Sequence, residues 1–476
     1  MPARWLVGSL ARRLPDIFAS ITVQKTSLDL ELLLLGVIAM KAFGELNRKF
    51  GDNGIAQLPT FISDYRHVTD VSSQGQDIIV SALTIDGQTD EHYYALARFN
   101  SQGALDFNFG KPAPSSSKEK PLEDMPGHAF GKFEKNAYHS ASEAVTVSDQ
   151  SIWVLGWLAE RRYARRLPVL AELDRNATSL RKVHRLSLPD GSSIRSSEGR
   201  FERPIYSRVL VDQDHLIATV NFERYIDYSV PPMRHQKARR HYPPRLYRLT
   251  VDGQPGFADS RSYVEVVHRQ GPVTITGLAA SPKGLLVSGY VTKEILDSAF
   301  VARYLIDGTL DTSFGDAGFI TFRIGTLNTR IRHFCVLPEG QLLVAGALRS
   351  IDEYPDAGWI QQYTENGQAD LAFNNGEAVL EVFRDEEDNK VGVEWKTLSA
   401  DNDGIIAWGE SANGYFYARR YKKDGAALPH TPLAVPYTVN ALCSLQRDKD
   451  IVIATNTWTD KGFVGSLSSF GKSWDI

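Results

Sequence analysis

Arginine gathers in three stretches of this chain, in residue types suited to holding anions. The first, ERRYARR, contains Arg161, Arg162, Arg165 and Arg166. The second, DGSSIRSSEGRFER, contains Arg195, Arg200 and Arg203. The third, ERYIDYSVPPMRHQKARRHYPPR, contains Arg234, His235, Lys237, Arg239, Arg240 and His241, with Tyr225, Tyr228 and Tyr242 interleaved. A guanidinium donates forked hydrogen bonds to carboxylate, sulfate or phosphate and stacks on aromatic rings. Clustered charge also speeds the arrival of acidic partners. One exposed contact contributes only about 0.2–1 kcal/mol, so such a site needs many of them. Two later stretches carry the opposite sign: IDEYPD, with Asp352, Glu353 and Asp356, and RDEEDN, with Asp385, Glu386, Glu387 and Asp388.

Other chemistries find no support in the residue order. There is no G-x-S-x-G elbow, no H-E-x-x-H and no Cys-x-x-Cys. No Asp-rich series with a closing Glu suggests calcium. The GKS at Gly471–Ser473 lacks a correctly spaced preceding glycine and any room for a helix, so it is no phosphate loop. No metal ligand set and no cofactor is expected. Cys335 and Cys443 stand in apolar strand-like runs and read as small buried hydrophobes. The formal charge is −4 on 476 residues, which gives no whole-chain argument for nucleic acid or membrane. A local basic patch without a long basic track also disfavours nucleic acid.

The elements that must position these residues are repeats. Gly308–Phe322 reads GTLDTSFGDAGFITF, and imperfect copies start at Gly44, Gly103 and Gly367, with a decayed one at Gly253. Between them recurs an apolar strand ending in small residues: IIVSALT, IWVLGWL, LIATVNF, LLVSGYV, LLVAGAL, IIAWGES and IVIATNT. Each is preceded by an alternating strand and a polar turn. Most are followed by a third strand with Arg five residues before a Gly: Arg98, Arg248, Arg303 and Arg420, with Gln362 in the fifth. The glycine motif supplies a fourth strand. Four short alternating strands per unit, repeated seven times, predict an all-β fold, a seven-bladed β-propeller. The last unit stops after its third strand, and the copy at Gly44 is the missing fourth. The ring is therefore expected to close by an N-terminal strand joining the C-terminal blade.

The pattern ARY-x-x-DG-x-LD-x-SFG-x-x-G, best seen at Ala302–Gly318, resembles the bacterial delta-60 repeat of uncharacterised propeller-like proteins. Ala97–Gly110, Gly44–Gly54 and Gln362–Gly376 match in part. The second unit (AELDRNATSLRKVHRLSLP) and the sixth (KKDGAALPHTPLAV) depart from it. The resemblance implies the fold and offers no catalytic residue to carry over.

Residues 40–476 read as one propeller domain and 1–39 as an N-terminal extension. Asp29 and Glu31 stand where a secretory signal would be apolar, and no apolar run reaches the roughly 18 residues of a membrane span. Localisation stays open, and nothing suggests more than a monomer. In a propeller the innermost strands line an axial channel. Aligning them gives a ring of His67, Glu143, Ser207, Thr276, Arg332, Lys396 and Ala441, with Arg66, His139, Arg208, Arg330 and His333 as neighbouring reserves, since a slip of one residue turns every side chain to the other face. Two readings of function follow. The first is a non-catalytic binding or scaffold propeller that presents the basic loops of blades 2 and 3 to an acidic protein or anionic glycan. The second is a hydrolase or lyase acting at the channel mouth through His67, Glu143, Arg332 and Lys396.

Overall fold

A computed structural model describes residues 49–471, apart from intervals at 53–54, 59–65, 87–88, 111–126, 163, 195–206, 225–241, 351–354, 385–388, 401–403, 412–415, 429–432, 436–442, 447–449 and 460–461. Among these residues the alternating runs become thirty strands, with two short 3-10 turns. A short strand, β1 (Ile55–Gln57), comes first. Sheet one is β2 (Arg66–Gln74), β3 (Asp77–Ile85), β4 (His92–Phe99) and β5 (His128–Gly131). Sheet two is β6 (His139–Val147), β7 (Ser151–Ala159), β8 (Leu167–Asp174) and β9 (Leu180–Arg185). Then β10 (Ser192–Ile194) precedes β11 (Arg208–Asp212), β12 (His215–Val220), β13 (Phe222–Arg224), β14 (Arg245–Thr250) and β15 (Tyr263–Glu265). Of these, β11, β12, β14 and β15 form sheet three, while β10 and β13 make a small ladder of their own.

Sheet four is β16 (Val273–Ser281), β17 (Gly284–Lys293), β18 (Leu296–Tyr304) and β19 (Phe319–Phe322). Sheet five is β20 (Asn328–Val336), β21 (Leu342–Arg349), β22 (Pro355–Tyr363) and β23 (Val379–Arg384). Sheet six is β24 (Lys390–Ala400), β25 (Ile405–Ser411), β26 (Phe416–Tyr421) and β27 (Leu433–Val435). Pairing of β23 with β24 joins these two into one eight-stranded ladder. The last set is β28 (Cys443–Gln446), β29 (Asp450–Thr459) and β30 (Gly462–Gly471), and its fourth strand is β1. The register is Ile55 to Ser468, Ala56 to Leu467 and Gln57 to Ser466, so the N-terminal repeat copy does complete the C-terminal sheet.

All seven apolar runs are second strands, and those of sheets one to six are buried on both faces. The first strands pack in sequence: β2 on β6, β6 on β11, β11 on β16, β16 on β20, β20 on β24, β24 on β28, and β28 on β2. Core clusters lie between consecutive sheets. One unites Leu286, Val301 and Phe314 of the fourth sheet and its turn with Ile331, Val344 and Trp359 of the fifth.

The repeat motif makes these junctions. The residue after each motif Phe donates its backbone N–H to the carbonyl just before the turn residue of the next sheet. Gly51 donates to Gln102 (2.6 Å), Gly110 to Asn176 (2.8 Å), Ala258 to Asp307 (3.3 Å), Gly315 to Asn366 (3.0 Å) and Asn374 to Asp424 (2.9 Å). The Phe ring itself lies against the following turn glycine. A Cβ on Gly367 would come within 3.1 Å of Phe314, and the φ of +84° there already disfavours a side chain. In sheet two, where no Phe-Gly occurs, His184 takes the same place against Gly253.

The recurrent arginine clasps this turn. Arg303 Nε donates to Asp311 Oδ2 (2.7 Å), its guanidinium lies 4.6 Å from the Phe314 ring, and Nη1 reaches Glu365 O of the next sheet's turn (2.7 Å). Arg98 repeats the bond to Asp106 (2.7 Å), and Gln362 repeats it to Asp370 (2.8 Å). Asp311 Oδ1 accepts from both the N–H and the hydroxyl of Ser313. The motif residues that resemble a ligand loop are thus spent on the turn itself.

Phe314→Ala should destabilise the fold by about 3–5 kcal/mol in chemical denaturation, because the ring is fully buried between two sheets. The exposed neighbour Ile306 is the control, and Ile306→Ala should stay within about 0.5 kcal/mol.

Candidate functional site

The second strands of sheets two, four, five and six carry a glycine mid-run: Gly156, Gly289, Gly346 and Gly409. A Cβ on any of them would strike the facing strand's carbonyl, at 2.1, 1.9, 1.8 and 2.3 Å respectively. Opposite each glycine the first strand bulges, and the extra residue is Glu143, Thr276, Arg332 or Lys396. These are four of the aligned ring positions. Sheet one departs from the alignment. Its bulge falls between Val68 and Asp70, so Thr69 holds the equivalent place, while His67 pairs with Leu83 two residues earlier. Ala82 stands where those four sheets have a second-strand glycine, and the hairpin turns over only Gly75 and Gln76. Ser207 directly precedes β11, and Ala441 lies outside the described residues.

Among the described ring side chains, Glu143, Arg332 and Lys396 are each engaged by a partner. Glu143 is buried and accepts a hydrogen bond from Trp157 Nε1 (3.2 Å). Arg332 and Lys396 meet on Glu394, a carboxylate that the alignment passed over. Arg332 Nε lies 2.5 Å from Glu394 Oε1, Arg349 Nη2 lies 3.0 Å from the same oxygen, and Lys396 Nζ pairs with Oε2. Glu410 approaches Lys396 from the other side at 3.8 Å. Burial alone would push the Glu394 carboxyl up, but the three cations outweigh it and hold the group well below the usual carboxylate range. No local signal marks Glu394, because two of its three cations, Arg332 and Arg349, come from other strands. Arg330, another neighbour, is bound to Asp297 (2.6 Å).

The basic loops begin where β7 ends. His139 Nδ1 accepts the His92 N–H (3.3 Å), so its proton sits on Nε2 and is donated to the Arg162 carbonyl (3.1 Å). The two imidazoles lie 4.3 Å apart, beside Trp157, and the Arg166 guanidinium covers that indole at 4.8 Å. Arg165 donates to the carbonyls of Ser192 (2.6 Å) and Pro189 (2.9 Å), and the Arg166 N–H donates to Ser193 Oγ (3.1 Å). Since β10 is paired with β13, the connection after β7 and the described start of the connection after β9 meet beside the end of β13. Arg165 and Arg166 therefore fasten the loops, while Arg161 and Arg162 remain exposed, with Arg162 Nη2 3.0 Å from Asp90. Tyr242 is half-buried against the core beside Gly191. Arg195, Arg200, Arg203, Arg234, His235, Lys237, Arg239, Arg240 and His241 lie outside the described residues, as do Asp352, Glu353 and Asp385–Asp388.

Among the described residues no group of three or more His, Cys, Asp and Glu side chains is placed to hold a metal ion. Burial pushes the Cys335 thiol up to about 12, which leaves it a poor nucleophile at neutral pH. No described helix is long and apolar enough to cross a membrane.

Glu394→Gln should cost about 3–5 kcal/mol, since it leaves three crowded cations without their carboxylate. Burial, helped by the facing His139, lowers His92 from 6.5 to about 3, and burial with the Arg208 charge lowers His333 to about 4. Between pH 6.5 and 4.5 the unfolded chain takes up protons on these rings that the folded chain refuses. Stability should therefore fall on acidification across that window, by about 1.4 kcal/mol per pH unit for each ring. Denaturation midpoints at pH 7 and pH 5 check this, and His92→Asn should flatten the slope.

No family model matches the chain, and no curated protein matches it. Several solved structures are similar in outline. A polysaccharide lyase shares 10% identity and a TM-score of 0.45, over 89% of this chain and 93% of that one. The β-propeller domain of the Trilobed protease from Pyrococcus furiosus shares 10% identity and a TM-score of 0.42, over 87% and 97%. The acylaminoacyl peptidase of Pyrococcus horikoshii shares 12% identity and a TM-score of 0.43, over 88% of this chain and about half (52%) of its own. At such identities and TM-scores none of these likenesses says what this chain does.

Proposed function

We propose that this chain is a seven-bladed β-propeller of the delta-60 repeat kind, closed by β1, and that it works as a non-catalytic binding or scaffold module. Two points support the closed ring: the packing of β28 on β2, and the N-terminal strand in the last sheet. The binding face is the end of blades 2 and 3 from which the basic loops rise, and its partner is an acidic protein or an anionic glycan. One observation supports this reading: Arg165 clamps the connection after β7 onto Pro189 and Ser192, and β10 pairs with β13, the strand from which the third arginine-rich stretch departs. The opposite fate of the ring residues agrees with it. Glu143, Arg332 and Lys396 are engaged by Trp157 and Glu394, in bonds that hold the inner strands to one another and to their own sheets.

Polyglutamate and alginate beads test the face as an acidic polypeptide and a uronate glycan. The parent chain should be retained by at least one of them at low salt and released as salt rises, because exposed ion pairs are screened. Arg161→Glu combined with Arg162→Glu, Arg239→Glu and Arg240→Glu should abolish retention while the thermal midpoint stays unchanged. Retention that persists in this variant, or that ignores salt, contradicts the proposal.

A further inference from the structure

Where the repeat motif is intact, a buried phenylalanine closes the joint to the next sheet: Phe50 on Gly103, Phe257 on Gly308, Phe314 on Gly367 and Phe373 on Gly425, with Phe109 packed in one cluster with Ala177. The joint between sheets two and three differs. His184 of β9 fills the place, so close to Gly253 that a Cβ there would lie 2.2 Å from Cε1 and 2.3 Å from Nδ1. The imidazole is stacked on the buried Trp153 of β7, with ring centroids 6.2 Å apart at 19°. Its Nε2 is buried and meets no hydrogen-bond partner among the described residues. Trp153 and Leu170 of sheet two share an apolar cluster with Tyr247 and Leu249 of sheet three at the same junction.

The crossing backbone bond is missing here as well. Among the described residues no N–H crosses to the Asp252 carbonyl, the counterpart of the acceptors at the other joints. Lys182 Nζ donates instead to Asp252 Oδ1 (2.9 Å), an ion pair open to water and screened by salt. Lys182 stands two residues before His184, on the same side of β9. Opposite Lys182 on β8 is Glu172, engaged by Ser151 Oγ (2.6 Å) and by Arg181 (3.4 Å). On sheet three, His215 and Arg248 flank Gly256, three residues beyond Gly253. Burial and then the Lys182 charge hold the His184 ring below its ordinary 6.5, against the opposing pull of Glu172 and Asp252.

We propose that the joint between sheets two and three is an acid-sensitive seam: it closes on a neutral His184, and protonation of that ring opens it locally while the phenylalanine joints stay shut. Protonation puts an N–H on both ring nitrogens, and the closed joint offers the one on Nε2 no acceptor. An unpaired buried donor and a charge held out of water both disfavour the closed state. Opening lets water reach the ring, so the proton binds the open form and draws the equilibrium toward it. The joint is therefore at full strength above pH 6.5 and weakens as the pH falls below it. Phenylalanine has no proton to gain, so the other joints lack this response. The device does not depend on what the loops of these two sheets bind.

Native-state hydrogen exchange of the full chain, read by mass spectrometry at pH 7 and pH 5 with times scaled for the chemical effect of pH, tests this. Exchange in peptides covering β9 and the Gly253 turn should quicken about tenfold at pH 5 relative to those covering the Gly308 and Gly367 turns. His184→Phe, which installs the ring used at the other joints, should remove that difference. His184→Gln cannot titrate in this range, so its exchange at the seam should be equally fast at both pH values. The proposal is overturned if the Gly253 turn keeps pace with the phenylalanine joints at both pH values. It is also overturned if the acid-induced rise survives in His184→Phe. Should that variant not fold, His184→Gln decides, and a rise persisting there counts against the seam.

Discussion

The contact on which this fold rests is a phenylalanine ring seated on a glycine of the next sheet, with one backbone hydrogen bond crossing beside it. A four-stranded antiparallel sheet of short strands buries too little by itself to be stable, and its faces must be covered by neighbours. The motif solves this locally. Its Phe fills the gap, the following N–H fixes the neighbour's height, and the Gly removes the side chain that would hold them apart. The Arg–Asp clasp then keeps the turn in the shape that presents the Phe. Where the motif decays, the geometry persists with other residues: His184 for Phe against Gly253, and Ala177 at φ +53° where the other turns have glycine.

This arrangement explains why most polar groups that resemble a site are structural. Asp106 and Asp311 serve a buried arginine, and Asp370 serves Gln362. Glu394 holds three cations from two adjacent inner strands and a second strand. Such a buried carboxylate is held strongly once its partners are present, and it fixes the relative position of sheets five and six rather than offering a free base. What is left for recognition is the set of groups that the repeat does not consume, the exposed Arg161 and Arg162 among them.

The architecture was legible because its signals are periodic. Seven apolar runs, glycine-ended turns and a fourth strand missing from one end and present at the other led to the observed strand pairing, including β1 with β30. Glu143, Thr276, Arg332 and Lys396 fall on equivalent bulges, each opposite a second-strand glycine. His67 does not: the bulge of sheet one lies at Thr69, opposite Ala82, where no glycine marks the register. Glu394 was missed because its importance comes from Arg332 and Arg349 on other strands, and no local spacing reveals that. The double role of the loop arginines was hidden for the same reason. Arg165 and Arg166 look like Arg161 and Arg162 in sequence, and only the path of β10 past them makes the first pair structural.

The central claim is that the repeat motif serves as the joint between sheets. Native-state hydrogen exchange at the crossing amides of Gly51, Gly110, Gly315 and Asn374 tests it most directly. The account predicts that these N–H groups exchange as slowly as the mid-strand amides of β7 and β21, and only with global unfolding. Fast exchange of the crossing amides while those strands stay protected would contradict it, since the sheets would then be held together by something other than the motif.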